Sequence, residues 1–315
     1  MSQLADRIKY SILDPTGNIT ALVETETEIS LQPEIAAEIM KQHPEVEQVG
    51  FVRFYEDGNV NGELRMAGGE FCGNASMSAA ALCLLRRTEN SLRNAELQKA
   101  ASGAEIRPQI QTIILNVSGA EEPVAVSLQR QEDCSFSAVI EMPPVPAAEE
   151  TEFTFAELKE KLPLVRMEGI SHIVIGRNSH FFRLKNEPEL AEQAVQQWCA
   201  ELGADGLGLM FLEEDAGTAE PEYMEEESAG SAGLKFRMTP LVYVPAGGSG
   251  GTVFWENSCA SGTAAAGMYA ASEMGKKSMV SLREPGGTLK AECDPGNGKV
   301  QLYGSVSLVE EITIG

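Results

Sequence analysis

The feature that most constrains this chain is an internal repeat, because its two halves present the same blocks in the same order. Each half has an amphipathic helix, with apolar residues at three- and four-residue spacing, followed by a strand entered through a small polar turn. The helices cover residues 34–41 and 189–202, and the strands residues 47–52 and 205–210. A weak but ordered repeat of this kind predicts two similar α/β units within one chain.

The most informative block is a Gly-rich turn, a cysteine, several small residues and an alanine-rich helix. It covers residues 68–81 in the first half and 255–267 in the second, with Cys72 and Cys259 at matching points. Tandem copies of one unit normally pack about a pseudo-two-fold axis, and the cleft between them is a natural ligand site. We therefore expect the two cysteines to meet across that cleft, each at a helix start whose backbone N–H groups are unpaired.

Two thiols in that arrangement suit the inversion of a carbon that carries one hydrogen, which needs a base on one face and an acid on the other. A helix N-terminus can lower a thiol pKa from about 8.5 towards neutrality, so that one cysteine rests as thiolate and the other as thiol. For a single cysteine, simple burial is the commoner explanation. Two cysteines at the same point of a repeat favour the catalytic interpretation.

The helix starts also provide donors for a substrate carboxylate, and small residues there let it approach the backbone. Those residues are Gly73, Asn74, Ser261, Gly262 and Thr263. An earlier block, residues 10–23 against 171–182, aligns Asn18 with Asn178, which are turn residues or substrate donors; their matched positions favour donors. His180 receives a supporting place at the mouth of the site. For His172, a hydrogen-bonded structural role is favoured.

Composition excludes several other functions. The formal charge of −23 disfavours nucleic acid and membrane surfaces as partners. Six cysteines without a C-x-x-C pair, together with three histidines, suggest neither a metal site nor a disulfide framework. The chain has no apolar run long enough to span a membrane and no secretory leader, which indicates a cytoplasmic protein. An acidic stretch at residues 213–232 is interpreted as a solvated, mobile insertion.

Several motifs resemble those of the diaminopimelate epimerase superfamily, and the resemblance spans nearly the whole chain. They are residues 71–75 (FCGNA), 259–263 (CASGT), the Gly17-Asn18 turn and the Asn178-Ser179-His180 turn. Within that superfamily, residues 47–51, 70–78, 240–245 and 255–259 are most similar to the histidine racemases that supply D-histidine for opine-type metallophores such as staphylopine.

The resemblance implies an α/β (α+β) fold of two pseudo-symmetric domains, each a mostly antiparallel sheet wrapped around a central helix. The domains would cover residues 1–149, completed by a strand at about 306–315, and residues 150–305. It also implies an amino-acid substrate, no pyridoxal phosphate or other cofactor, no catalytic metal, and a homodimer, although the residues themselves do not reveal the oligomeric state. Gln48 and Glu256 join the substrate-binding candidates, with Glu256 facing the substrate ammonium.

Departures from true diaminopimelate epimerases narrow the substrate. Those enzymes have an Asn shortly before the first cysteine and a Glu-Arg-Gly segment before the second, where this chain has residues 66–69 (MAGG) and 244–247 (VPAG). A buried distal carboxylate without an arginine partner would be costly. A substrate with a distal carboxylate is therefore disfavoured. The paired cysteines and the resemblance to the histidine racemases make conversion of L-histidine to D-histidine the favoured reaction. Diaminopimelate epimerase and a non-racemase isomerase or metabolite-binding member of the fold remain alternatives.

Overall fold

A computed structural model describes residues 7–56, 58–98, 110–215, 233–246 and 250–314 of the chain. The chain forms two compact units. Unit 1 comprises Met1–Glu141 and Tyr303–Gly315, and unit 2 comprises Met142–Leu302. Within the described ranges, no helix is both long enough and apolar enough to cross a membrane.

Unit 1 is a mostly antiparallel sheet with a helix packed against nearly all of its strands. Its described helices are α1 (Gln32–Gln42) and α2 (Gly73–Gln98). Its strands are β1 (Ile8–Pro15), β2 (Thr20–Val23), β3 (Gln48–Phe54), β4 (Gly62–Met66), β5 (Gln111–Val117), β6 (Val124–Arg130), β7 (Phe136–Glu141) and the later part of β16 (Lys299–Ile314). Strands β1 to β7 are neighbours in chain order, and β16 pairs with β1. The pairs β2–β3 and β4–β5 are parallel, and α2 packs against strands β1 to β7.

Unit 2 repeats this plan. Its described helices are α3 (Pro188–Leu202) and α4 (Ala260–Met274). Its strands are β8 (Glu149–Phe155), β9 (Leu158–Arg166), β10 (Ser171–Gly176), β11 (Leu207–Glu214), β12 (Leu234–Ala246), β13 (Gly250–Trp255), β14 (Ser278–Glu284) and β15 (Gly287–Asp294). The order is β15-β14-β12-β11-β10-β9-β8, with β13 paired to β12. Helix α4 packs against β9, β10, β11, β14 and β15.

The two units share a topology. In each, a parallel strand pair is joined through a peripheral helix, β2–α1–β3 in one and β10–α3–β11 in the other. A second parallel pair is joined through the central helix, β4–α2–β5 and β12–α4–β14. The predicted fold class, two epimerase-like α/β halves each built around a central helix, is confirmed.

Small residues explain why α2 and α4 lie at the centre. The start of α4 is buried on every side, including Ala264, Ala265 and Ala266, and so are Ala79, Ala80 and Ala81 of α2. A helix that is apolar all round belongs in a core, and alanine lets surrounding strands approach it closely. Helix α4 ends at Met274 and is capped by Gly275, whose φ of 64° is the left-handed conformation typical of a helix C-terminus.

Two sequence predictions differ from the structure. Asn18 lies in the turn before β2, whereas Asn178 follows β10, the topological equivalent of β2. The alignment that matched these residues is therefore wrong by one strand, because β1 and β10 are both apolar strands before a polar turn. The predicted start of the acidic insertion, residue 213, is also too early in the chain. Residues 216–232 lie outside the described residues, but Glu213 belongs to β11 and forms an ion pair with Lys185.

Candidate active site

Cys72 lies immediately before α2, where a loop from β4 enters the helix. Its side chain is half-buried, and its thiol donates to Gln48 Oε1 at 2.9 Å. The Ala75 N–H, three residues on, points at Cys72 Sγ at 3.4 Å. Burial raises the pKa of the nearby Glu70 carboxyl, but that carboxylate lies against Gly68 rather than the thiol. One partner of the thiol is thus an uncharged amide oxygen.

A chain of oriented amides holds Gln48 in place. Glu47 accepts a hydrogen bond from Asn18 Nδ2 at 2.7 Å, so the Asn18 oxygen faces Gln48. Gln48 Nε2 donates to that oxygen and also to Thr20 Oγ1 at 2.8 Å. Because both donors of Gln48 face acceptors, its oxygen is left for Cys72. The structure thereby brings Asn18, Gln48 and Cys72 together, with Asn18 only 1% exposed.

Cys259 is the residue that caps the N-terminus of α4. Its backbone is extended, with φ −127° and ψ 103°, and its Sγ accepts a hydrogen bond from the Gly262 N–H at 3.4 Å. Ser261 Oγ lies 3.6 Å from the same sulfur. A Cβ on Gly262 would collide with Met210 Sδ, so any larger residue there would force the Met210 side chain to move. The predicted residues Ser261 and Gly262 therefore both contact the thiol.

Two carboxylates surround Cys259. Glu256 hydrogen-bonds its thiol, and Glu284 Oε2 accepts from its backbone N–H at 2.7 Å. Burial raises the pKa of the Cys259 thiol well above its usual value, and Glu256 and Glu284 raise it further. The Gly262 N–H acts in the opposite direction but does not outweigh them. Cys259 therefore has the surroundings of a resting thiol rather than a thiolate, a choice between the two cysteines that the sequence leaves open.

The remaining predicted residues have different surroundings. Thr263 is fully buried, and its hydroxyl donates to Glu284 Oε1 at 2.6 Å. Gly73 and Asn74 form the buried first turn of α2. Asn178 is exposed, and the His180 side chain is 77% exposed with its ring 3.5 Å from Glu160. The structure places neither Asn178 nor His180 in contact with Cys259.

His172 differs from its prediction. It is fully buried on β10, and neither ring nitrogen has a hydrogen-bond partner within the described part of the chain. Burial lowers its pKa to about 3, so it is uncharged. The expectation of a hydrogen-bonded structural histidine is therefore wrong. Among the described residues, no three His, Cys, Asp or Glu side chains cluster as a metal site would require.

Three residues of these networks were not predicted, namely Thr20, Glu47 and Glu284. Glu47 stands within a segment used for the resemblance, but its side chain gave no separate signal. Glu284 had one detectable signal, because it is a lone acidic residue at an alternately buried position of a strand, β14. Such a position normally holds an apolar residue.

Known proteins similar to this chain are histidine racemases. A family model described as "Histidine racemase CntK N-terminal domain" matches residues 7–224 and 233–314. A histidine racemase of Fusobacterium nucleatum subsp. nucleatum is 30% identical over 273 residues, which are 85% of this chain and 81% of the relative. The histidine racemase of Staphylococcus aureus strain Mu50 is 27% identical over 264 residues, covering 83% and 79%.

Solved structures share the fold at low sequence identity. The hydroxyproline epimerase of Agrobacterium vitis, with bound trans-4-hydroxy-L-proline, aligns with a TM-score of 0.59 at 12% identity, covering 98% of this chain and 93% of that one. The probable proline racemase of Agrobacterium radiobacter K84 aligns with a TM-score of 0.62 at 10% identity and the same coverage. With a family model that matches nearly all of the described chain, the protein belongs to the histidine racemase family.

Proposed function

We propose that this protein is a cofactor-independent racemase that inverts histidine by moving its α-proton between Cys72 and Cys259. The observation that carries the proposal is the equivalence of the two thiols. Each stands at the start of a central helix and faces the N–H three residues on at 3.4 Å. Each also accepts, at its carbonyl, the N–H four residues on, at 2.9 Å for Cys72 and 2.8 Å for Cys259.

In the proposed reaction, one sulfur takes up a proton and the other sulfur gives one. A thiolate on one residue takes the α-proton and becomes a thiol, leaving a carbanion next to the substrate carboxylate. The thiol on the other residue gives its proton to the opposite face of Cα and becomes a thiolate. The mechanism requires the two thiols to address opposite faces of the same carbon. Reversal of the roles converts the other enantiomer.

Backbone N–H groups at the two helix starts are proposed to bind the substrate carboxylate, where negative charge accumulates as the proton leaves. In α4 the Gly262 N–H is engaged by Cys259 Sγ and the Thr263 N–H by the Cys259 carbonyl. Among the predicted residues of that turn, this leaves the Ser261 amide for the carboxylate. Glu256, already beside the thiol, is proposed to pair with the substrate ammonium.

Histidine is proposed as the substrate because the relatives matching most of this chain are named histidine racemases. The segments that hold the distal carboxylate in diaminopimelate epimerases also differ here, at residues 66–69 and 244–247. We further propose cytoplasmic action, a homodimer, and a role in supplying D-histidine for an opine-type metallophore, all on the strength of the family resemblance.

The test is a solvent-exchange screen. The protein is incubated with each L-amino acid and with diaminopimelate in D₂O, and loss of the α-hydrogen is followed by NMR and inversion by chiral chromatography. We expect exchange and inversion with histidine, and loss of inversion in both Cys72→Ser and Cys259→Ser. Cys134→Ser, an exposed thiol, is the matched control. Inversion of diaminopimelate but not histidine would refute the proposed substrate, and normal inversion by either variant would refute the two-thiol mechanism.

A further inference from the structure

Glu284 is a buried carboxylate at the start of α4 with no part in the function proposed above. It is the last residue of β14 and is 5% exposed. One oxygen accepts the Cys259 backbone N–H at 2.7 Å, and the other accepts the Thr263 hydroxyl at 2.6 Å. The same side chain therefore holds the capping residue and the first turn of the helix.

The repeat shows that the fold does not need a carboxylate at this position. Strands β5 and β14 have the same length, and their last residue is buried in both. The buried positions at the end of β5 hold apolar residues, Leu115 and Val117. Burying a carboxylate is costly unless it is well hydrogen-bonded, so a valine would serve packing at lower cost. Glu284 must therefore provide something that unit 1 does without.

Two carboxylates act on the Cys259 thiol. Glu256 approaches from the loop before the helix, and Glu284 from β14. Uncharged residues on the other strands packed against α4 include His172 on β10, its pairing partner Val165 on β9, Met210 on β11, and Cys293 on β15, which lies near Gly267. The field at the sulfur is thus set by two carboxylates against one helix N-terminus.

We propose that Glu284 is a positioning residue that fixes Cys259 at the helix cap and adds to burial and Glu256 in keeping its thiol protonated in the substrate-free enzyme, leaving Cys72 to take the first proton. A helix N-terminus favours a thiolate. A carboxylate bound at the same end opposes that effect and favours the neutral thiol. This inference rests on the proposed function, because it assigns the resting roles of the two thiols.

The experiment measures the Cys259 thiolate directly, without relying on activity. Ultraviolet thiolate absorbance is titrated for the full-length protein and its Cys259→Ser variant, and the difference reports Cys259. The same pair is made with Glu284→Gln, which keeps an acceptor for the Cys259 N–H but removes the charge. We expect the Cys259 thiolate fraction near pH 8 to rise about tenfold, the change for one pKa unit. Glu152→Gln, which removes an exposed carboxylate on β8, should change nothing.

A second variant separates charge from geometry. Glu284→Asp keeps the charge with a shorter reach, so Cys259 should stay protonated while kcat falls. A folded Glu284→Gln variant with an unchanged Cys259 titration would overturn the inference, as would an equal rise in thiolate for Glu284→Asp. If instead Cys259→Ser racemises normally, the proposed function fails, whatever the titrations show.

Discussion

The starts of α2 and α4 have the same backbone hydrogen bonds around their cysteines but different side-chain partners. Cys72 contacts the neutral oxygen of Gln48, which is oriented by a chain of amides. Cys259 contacts Glu256 and is held through its backbone by Glu284. A duplicated unit can therefore keep the position of a proton-transfer group while the side chains that influence its pKa diverge. Substitutions that exchange features between the units test this directly.

The largest effect is expected for the cysteines themselves. Cys72→Ser and Cys259→Ser should each lower the rate of histidine inversion by about 10²- to 10⁴-fold, the usual contribution of a positioned acid or base. Because each variant keeps only one thiol, each should exchange the α-hydrogen of only one enantiomer, and a different one. Separate D₂O incubations with L- and D-histidine measure this. Exchange of the same enantiomer by both variants would contradict assignment of the thiols to opposite faces.

Placing a carboxylate beside Cys72 should make unit 1 resemble unit 2. Gln48→Glu replaces the neutral acceptor by a charged one, which holds the thiol in its protonated form. We expect kcat/KM near neutral pH to fall about tenfold to a hundredfold, with recovery at higher pH, since each pKa unit is a factor of ten. Gln48→Met is the neutral control and should lower activity without moving the pH profile. A Gln48→Glu profile that coincides with the wild type would remove the electrostatic part of the comparison.

The two units also differ in the sizes of the side chains at one equivalent contact. Gly262 packs against Met210, whereas the equivalent positions in unit 1 hold Ala75 and Val52. Gly262→Ala should lower the free energy of unfolding by about 1–3 kcal/mol, because the new methyl overpacks against Met210. Gly262→Ala with Met210→Val, which copies the unit 1 pair, should recover most of that loss in denaturant unfolding. Equal stability of the single and double variants would show that these positions are not equivalent.

A smaller effect is expected at His172. It stands opposite Gly208 as Leu22 stands opposite Gly50 in unit 1. His172→Leu removes two unsatisfied buried nitrogens and should raise the free energy of unfolding by about 1–2 kcal/mol, as measured by denaturant unfolding. The matched control is Leu22→Met at the equivalent position of unit 1, which conserves volume and should be nearly neutral. A loss of stability in His172→Leu would contradict the equivalence of the two positions.

The His172 pKa adds a pH signature. Burial lowers the pKa of His172 to about 3 in the folded protein, whereas the value in the unfolded chain is about 6.5. The stability that comes from the neutral ring is therefore fully present above pH 6.5. That contribution is lost progressively as the pH falls from about 6.5 towards 3, since the unfolded chain binds the proton first. Thermal unfolding of His172→Leu should lack this part of the acid sensitivity. An identical pH dependence in both proteins would mean that the His172 ring has a hydrogen-bond partner in the folded protein.

Much of the fold followed from local pattern. The helices predicted at 34–41 and 189–202 are confirmed as Gln32–Gln42 and Pro188–Leu202, because amphipathic spacing is a local signal. The alanine-rich helices after Cys72 and Cys259 are likewise confirmed. Strand equivalence was harder, since β1 and β10 look alike as sequences and only their pairing partners distinguish them. The pairing of strands that are far apart in the chain cannot be predicted from any one segment.

The site was predictable to the extent that its residues are close in sequence to the cysteines. Ser261 and Gly262, which were predicted, contact Cys259. Gln48, which contacts Cys72, was predicted from the family resemblance. Glu284 was missed because it reaches the helix from a strand 25 residues further along the chain. A helix N-terminus alone suggested a lowered thiol pKa, but the charges that decide the direction at Cys259 include one from a distant strand. Such fields depend on tertiary structure.

The path of β16 has a consequence for how the protein is made. Its later residues pair with β1, from Ile8 with Ile314 to Pro15 with Val306, whereas unit 2 is continuous along the chain. During synthesis unit 2 therefore emerges whole before the strand that covers β1 exists. Until then the β1 edge presents unpaired backbone groups, the kind of surface that promotes aggregation of nascent chains. The unit that starts first is thus the one that finishes last.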